Sequence, residues 1–326
     1  MQKSITLTTC NIATGHIEKL QNANVTNSHI NMKELAARFS QFVDVSALSL
    51  KSYSSGIRKF LAYLSENGIT SPAREDVLNY KKVLCEKYAA NSVALYLSSI
   101  RRFFSWCESE GLYSDITRGV KSPKISHEHK RDAFGANELR EVISTIKREG
   151  IEGKRNYAVF CLIASCGLRC CEVVRANVGD LHRVAGVTVL NVMGKGHADK
   201  DSFVKIAPEV EKALREYLSA RGAVAEDEPL FVSCSRRNKG ARLTTQTISQ
   251  VCKRSMVAAG YNSKRLTAHS LRHSSITIAL LQGMSLDDVS AFARHSSIAV
   301  TMVYNHSVQR MKSSCEASIA SAIFGA

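Results

Sequence analysis

The sequence predicts a mainly helical protein with one small β-sheet, divided into two domains. Three observations carry this. The 326 residues exceed a single domain of about 150. Apolar residues recur at helical spacing through most segments from residue 31 onward. Two β-rich runs, VTVLNV and DSFVKI, interrupt that pattern and flank a glycine-bearing turn, as the arms of a hairpin do.

Residues 1–30 are polar, rich in Asn and Thr, and weakly patterned. They read as an N-terminal extension, either disordered or forming a small extra element. Residues 31–117 read as a helical bundle. NMKELAARFSQFV puts Leu35, Phe39 and Phe42 on one face. SLKSYSSGIRKFLAYLSENG does the same for Tyr53, Ile57, Phe60, Leu61 and Leu64 before Gly68 stops it. A third helix covers 73–88. In a fourth, NSVALYLSSIRRFFSWCESEG, Asn91 is the expected cap and Gly111 the stop. Its stripe Tyr96, Phe103, Phe104 and Trp106 reads as core rather than as a platform for stacked bases. Residues 118–131, RGVKSPKISHEHKR, show neither periodicity, contain Pro123 and read as a basic linker.

The second domain, 132–307, opens with helices over 136–149 and 154–166, and a further helical piece follows Gly167. After the hairpin, PEVEKALREYLSARG carries Pro208 in its first turn and Arg221–Gly222 at its end. TTQTISQVCKRSMVAAG, HSLRHSSITIALLQG and SLDDVSAFAR complete the helices, and Ser285 and Asp288 have capping-box spacing. Residues 308–326 are a small-residue-rich, weakly amphipathic tail.

Composition narrows the function. Hydrophobic residues make up 44% and charged residues 22%, which suits a packed core and excludes disorder as the main state. No apolar run reaches the ~18 residues of a membrane span, and the N-terminus lacks the apolar stretch of a secretory signal. The expected location is the cytoplasm, with the ten scattered cysteines as reduced thiols. Cys161, Cys166, Cys170 and Cys171 fit no common zinc spacing and read as small core residues.

The formal charge is +15, which points to a polyanion, nucleic acid first. It divides as +3 over residues 1–117, +4 over 118–131 and +8 over 132–326. Between Glu228 and Asp287 no acid occurs, while Arg236, Arg237, Lys239, Arg242, Lys253, Arg254, Lys264, Arg265 and Arg272 do. Cations without counter-charges repel unless phosphates lie among them. These, with Arg58, Lys59, Arg101 and Arg102 of the bundle and Lys121 and Lys124 of the linker, are the candidate DNA contacts.

Two simpler motif readings fail. Gly194-Lys195-Gly196 is followed by His197 and a strand, not by Ser or Thr opening a helix, so it is no nucleotide-binding loop. It is a flexible turn, or a turn that carries Lys195 into a site. His269 and His273 stand at zinc spacing, but no Glu adjoins the first and Arg272 adjoins the second. His127 and His129 have no evident co-ligands. No metal and no cofactor is expected.

His269 and Arg272, three apart, share one helical face, from which a guanidinium can grip two phosphate oxygens. The wider string LTAHSLRHSSITIALLQG, then SLDDVSAFARHSSIAVTMVYNH, closely resembles the C-terminal boxes of the tyrosine recombinases, the phage-integrase family. His269, Arg272, His273, Gly283, His295 and Tyr304 follow in the family's order and spacing. SCGLRCCEVVRANVGDL resembles the first box and contributes Arg169 and Glu172; MGKGHADKDSFVKI resembles the hairpin box and contributes Lys195. The match covers about 132–307, and the bundle more loosely resembles the family's SAM-like core-binding domain. Three departures stand out: Ala268 where Pro is usual, Cys170 and Cys171 for commoner small residues, and Arg294 where Gly usually precedes the third-box His. Arg294 either crowds the site or adds a phosphate contact.

The resemblance implies a site-specific recombinase. Arg169 and Arg272 would neutralise the non-bridging oxygens of a DNA phosphate, and His295 would donate a further hydrogen bond. Tyr304 would attack with His269 accepting its proton; Lys195 would protonate the departing 5′ oxygen. Glu172 and His273 would support them. The product would be a 3′-phosphotyrosine, formed without ATP or metal, and paired exchanges would pass through a Holliday junction. Four protomers on inverted-repeat core sites are implied, with 308–326 docking on a neighbour, room for an accessory DNA-bending protein, and no membrane. Integration or excision of a mobile element and Xer-like resolution both fit. The rivals are a non-catalytic DNA-binding regulator on the same scaffold and a type IB topoisomerase-like relaxing enzyme.

Overall fold

The computed structural model describes residues 31–124, 133–194 and 199–325. The chain falls into two compact units dividing at 126/127. It is mainly helical with one three-stranded sheet, as the sequence predicts.

The first unit is four helices: α1 Met32–Phe42, α2 Ala47–Glu66, α3 Arg74–Lys87 and α4 Ala90–Ser109. Asn31 caps α1 by accepting from the Lys33 amide at 3.0 Å, and Asp76 caps α3 by accepting from the Ala73 amide at 2.7 Å. Phe39, Phe60, Phe103 and Phe104 are fully buried, each contributing about 2 kcal/mol of apolar burial. They meet edge to face, Phe39 on Phe103 at 5.7 Å and Phe60 on Phe104 at 5.9 Å. Gly56 lets α2 and α4 touch, since a Cβ there would lie 2.4 Å from the Ser99 hydroxyl. Residues 118–124 stay with this unit: Val120 joins its core, and Arg74 donates to the Arg118 carbonyl.

Two local expectations differ. Phe42 is 68% exposed, because the chain leaves α1 there and Val43 packs on the core instead. Helix α4 is capped at Ala89 rather than Asn91: the Ala89 carbonyl already accepts from Ser92 at 2.8 Å, so Asn91 lies inside the first turn.

The second unit begins with α5 Ala136–Thr145, α6 Gly150–Cys166 and α7 Cys170–Arg175. The sheet is β1 Leu181–Val184, β2 Val187–Val192 and β3 Ser202–Lys205, antiparallel in that order. Leu190 of β2 faces Leu181 on one side and Val204 on the other. The predicted hairpin is β2–β3; β1 carries His182 and Arg183 at its centre and so shows no β-rich run in the sequence. Then come α8 Pro208–Arg221, α9 Thr245–Ala258, α10 Ala268–Leu281, α11 Leu286–Ala293, α12 Ile298–Lys312 and α13 Cys315–Phe324. The helix expected over 136–149 ends at Thr145, where Ile146 turns extended, and α6 starts at Gly150 rather than 154.

Helices α6 and α10 form the middle of this unit. Along α6, Ala158 through Ala164 are all buried, Cys161 among them, as expected of a helix apolar on every face. Ser270 through Ile276 of α10 are also buried. Its hydroxyls are satisfied: Ser275 donates to the Ala164 carbonyl at 2.6 Å, and Ser274 accepts from the Phe134 amide at 2.7 Å. That ties α10 to α6 and fixes the face carrying Arg272. No helix of the described residues is long and apolar enough to cross a membrane.

Candidate active site

Helix α6 stops because Gly167 takes the left-handed conformation, φ 58°, and its amide returns to the Ile163 carbonyl at 3.1 Å. A Cβ at Gly167 would sit 2.9 Å from the Phe292 ring, so glycine meets both a torsional and a steric demand. The turn delivers Arg169 to the start of α7. There its amide donates to Glu172 at 2.8 Å, and its guanidinium reaches the other carboxylate oxygen at 2.9 Å.

Arg272 reaches the same corner from α10. It is 2% exposed and donates to the Gly167 and Ala293 carbonyls. Burial, followed by the neighbouring Arg169, lowers its guanidinium to about 10, which leaves it charged at neutral pH. Arg294 also has a left-handed backbone, φ 52°. Its guanidinium bonds Glu172 at 2.8 Å and the carbonyls of Phe292 and Gly167 at 2.7 and 3.4 Å. The Glu172 side chain is fully enclosed. Burial alone would raise its carboxyl, but Arg294 and Arg169 outweigh that and hold it below the ordinary 4.5.

His295 follows directly. Its Nδ1 lies 2.8 Å from the Thr301 hydroxyl. Burial first, then Arg272, Arg169, Arg294 and His269, lowers its imidazole to about 4, so the ring is neutral at pH 7. Tyr304, on α12, is 6% exposed. Its ring stacks on His295 at 6.1 Å and lies 5.0 Å from that of His273, which meets His269 edge to face at 4.7 Å. A small apolar cluster of Ile276, Leu280, Val289, Ala293 and Val308 backs Tyr304.

Arg169, Glu172, His269, Arg272, His273, His295 and Tyr304 thus converge on one corner. Lys195 lies outside the described residues, as do His127 and His129. Described residues on either side of Lys195 are anchored: Arg175 donates to the Gly194 carbonyl at 2.8 Å, and Lys200 pairs with Asp180. Sequence reasoning missed Thr301 and the pairing of Arg294 with Glu172. A buried Thr six residues after a His carries no signal of its own.

The candidate DNA contacts divide. Arg58, Arg102, Lys121, Lys124, Arg236, Arg237, Lys239, Arg254, Lys264 and Arg265 are exposed. Lys59 bonds the Tyr88 hydroxyl at 3.0 Å and lies over the Tyr88 and Tyr96 rings. Arg101 donates to the Val120 carbonyl at 2.7 Å. Arg242 holds the carbonyls of Val174 and Ala176 at 2.8 and 3.1 Å and the Asn177 side chain at 2.7 Å. Lys253 holds the Ser263 carbonyl at 2.6 Å.

The model of the phage integrase family matches residues 133–311, and that of the phage integrase N-terminal SAM-like domain matches 41–111. A tyrosine recombinase XerD of Proteus mirabilis is 32% identical over 235 residues, 70% of this chain and 72% of its own length. The fold is that of the XerH site-specific recombinase bound to palindromic difH substrate, with a TM-score of 0.69, 21% identity and coverage of 89% and 84% of the two chains. A lambda integrase tetramer bound to a Holliday junction gives a TM-score of 0.65 at 14% identity, covering 85% and 78%. Matched over more than half its length by the family model, and over most of it by that relative, the chain belongs to the phage integrase family of tyrosine recombinases.

Proposed function

We propose that this protein recombines DNA at specific sites through a phosphotyrosine at Tyr304. The single observation that carries the reading is the convergence of Arg169, Arg272, His295 and Tyr304, drawn from three separated stretches of chain, on one corner. A phosphodiester in that corner meets two guanidiniums, which offset the charge that builds on its non-bridging oxygens. His295 is neutral, so it donates through one nitrogen only; the tautomer whose Nδ1 accepts from the Thr301 hydroxyl, 2.8 Å away, carries its proton on Nε2 and is the one that serves the phosphate. Tyr304 attacks phosphorus, His269 takes the phenol proton, and Lys195 returns one to the 5′ oxygen as that bond breaks. His273 and Glu172 hold the neighbouring groups in line. The energy of the broken ester stays in the phosphotyrosine until a partner strand's 5′ hydroxyl attacks.

The reading extends to the assembly. A homotetramer on inverted-repeat duplex sites is consistent with the lambda integrase tetramer on a Holliday junction. Helix α13 leaves Ile319, Ile323 and Phe324 exposed at 58%, 67% and 80%, an apolar face suited to a neighbouring protomer. The duties that fit are integration or excision of a mobile element and Xer-like resolution, carried out in the cytoplasm.

A library of nicked duplexes tests this. The protein should capture a subset as complexes that survive denaturant, and Tyr304→Phe should capture none. Equal capture by the variant removes Tyr304 as nucleophile. Relaxation of supercoils without exchange between two captured sites replaces recombination with a topoisomerase reaction.

A further inference from the structure

Arg294 is the residue in the site that the fold makes hardest to keep. Its backbone is left-handed at φ 52°, a conformation glycine adopts freely and a side chain resists. Its side chain is nine-tenths buried, and its Nε has no hydrogen-bond partner among the described residues, a further cost. Strain of this kind persists where the surroundings impose it, and it clusters at functional sites. What the side chain does must offset both costs.

Its bonds say what it does. The guanidinium closes on Glu172, Phe292 and Gly167, which are the carboxylate that orients Arg169, the carbonyl just before the His295 turn, and the turn ahead of Arg169. Arg169 in turn reaches the Arg294 carbonyl at 3.4 Å, and Arg272 holds the carbonyl of Ala293. The turn that presents His295 is therefore stapled to both phosphate-facing arginines. Glu172 is divided: one oxygen takes the Arg169 guanidinium, while the other takes the Arg169 amide and Arg294. Without Arg294 the carboxylate would counter Arg169 alone. With it, two guanidiniums share one carboxylate, and the corner keeps a net charge one unit more positive.

We propose that Arg294 is a positioning residue for strand cleavage. It locks the His295 turn and draws part of the Glu172 charge away from Arg169, so that Arg169 faces the scissile phosphate with its positive charge less neutralised. This rests on the roles given above to Arg169, Glu172 and His295. The groups around His295 are Arg272 and His269 from α10, Arg169 from the start of α7, Arg294 beside it, and Thr301 and Tyr304 from α12; Glu172 stands behind Arg169 and Arg294 as their partner. Removing Arg294 takes one repelling cation from this set. His295 then protonates more readily, and its titration moves up toward the ordinary histidine value.

The test compares wild type, Arg294→Gly and Arg294→Lys on a nicked duplex captured by the wild-type protein. Glycine fits the backbone, so Arg294→Gly should keep a cooperative unfolding transition and bind the duplex within about twofold, since duplex contacts lie elsewhere. Its rate of covalent capture should fall about tenfold or more through lost alignment. The acid limb of that rate should move to higher pH by on the order of one unit. Arg294→Lys restores the charge without the fork and should recover part of the rate and return the acid limb. Wild-type cleavage by Arg294→Gly with an unmoved acid limb overturns the inference and leaves the Tyr304 reading intact. So does a loss of folding shared by both variants with the acid limb fixed, which marks a purely structural role. Failure of the wild type to form a Tyr304-dependent complex overturns the underlying reading and this one with it.

Discussion

Glu172 is a carboxylate with no solvent, held by two guanidiniums and a main-chain amide. Removing one partner of such a buried set strands the others. Glu172→Gln keeps the shape but aims an amide donor at a donor and leaves Arg169 and Arg294 without a counter-charge. It should lower the unfolding free energy by about 3 kcal/mol, read from urea denaturation at pH 7. The pH dependence follows from the direction of the shift. The folded-state carboxyl titrates below its ordinary value, so its contribution is complete above the unfolded-state value and is lost as pH falls through the folded one. The gap between wild type and variant should therefore narrow in acid; a gap constant from neutrality to pH 3 would show that Glu172 does not bear that charge. Arg169, Arg272, His295 and Tyr304 were legible as a set only through their resemblance to ordered boxes, because separations of up to 135 positions hide proximity. Thr301 and the Arg294–Glu172 pair were not legible. Each depends on where a turn points a side chain, and periodicity says nothing of that.

At the scale of elements, most of the site is assembled by helix ends, and Tyr304 alone of the proposed reacting groups comes from the body of a helix, α12. The end of α6 and the start of α7 supply Arg169, the start of α10 supplies His269 and Arg272, and the turn after α11 supplies His295. Helix bodies were readable because apolar spacing repeats over many residues. Their ends are set by single contacts, which is why Ala89 displaces Asn91 as a cap and why α5 stops at Thr145. Gly167 is such a contact. Gly167→Ala must hold a side chain at positive φ and push a Cβ to within 2.9 Å of Phe292. The torsional penalty alone is about 1 kcal/mol, and the ring must also move, taking with it the α11 end that holds Ala293 and Arg294. The variant should unfold at lower temperature and lose covalent capture by more than its duplex affinity. Equal losses in capture and affinity would mean that the turn matters for folding and not for alignment.

For the whole molecule, the formal charge of +15 overstates what duplex DNA can feel, because folding spends some of the cations internally. Arg242 and Lys253, both in the acid-free stretch, hold main-chain carbonyls. Arg236, Arg237 and Lys239 stay exposed. Counterion release separates these classes, since each neutralised phosphate adds about −0.9 to the slope of log affinity against log salt. Binding to a duplex of arbitrary sequence should weaken by at least about a hundredfold between roughly 50 and 200 mM salt. Changing Arg236 and Arg237 to Ala together should make that slope shallower by about 2 with stability unchanged. Arg242→Ala should do the reverse. The slope stays, and about 2 kcal/mol of stability is lost, because the Val174 carbonyl and the Asn177 side chain lose the guanidinium and the Ala176 carbonyl keeps only the Leu230 amide. If Arg242→Ala flattened the slope as much as the surface pair does, its guanidinium would have to leave those carbonyls for a phosphate when DNA binds.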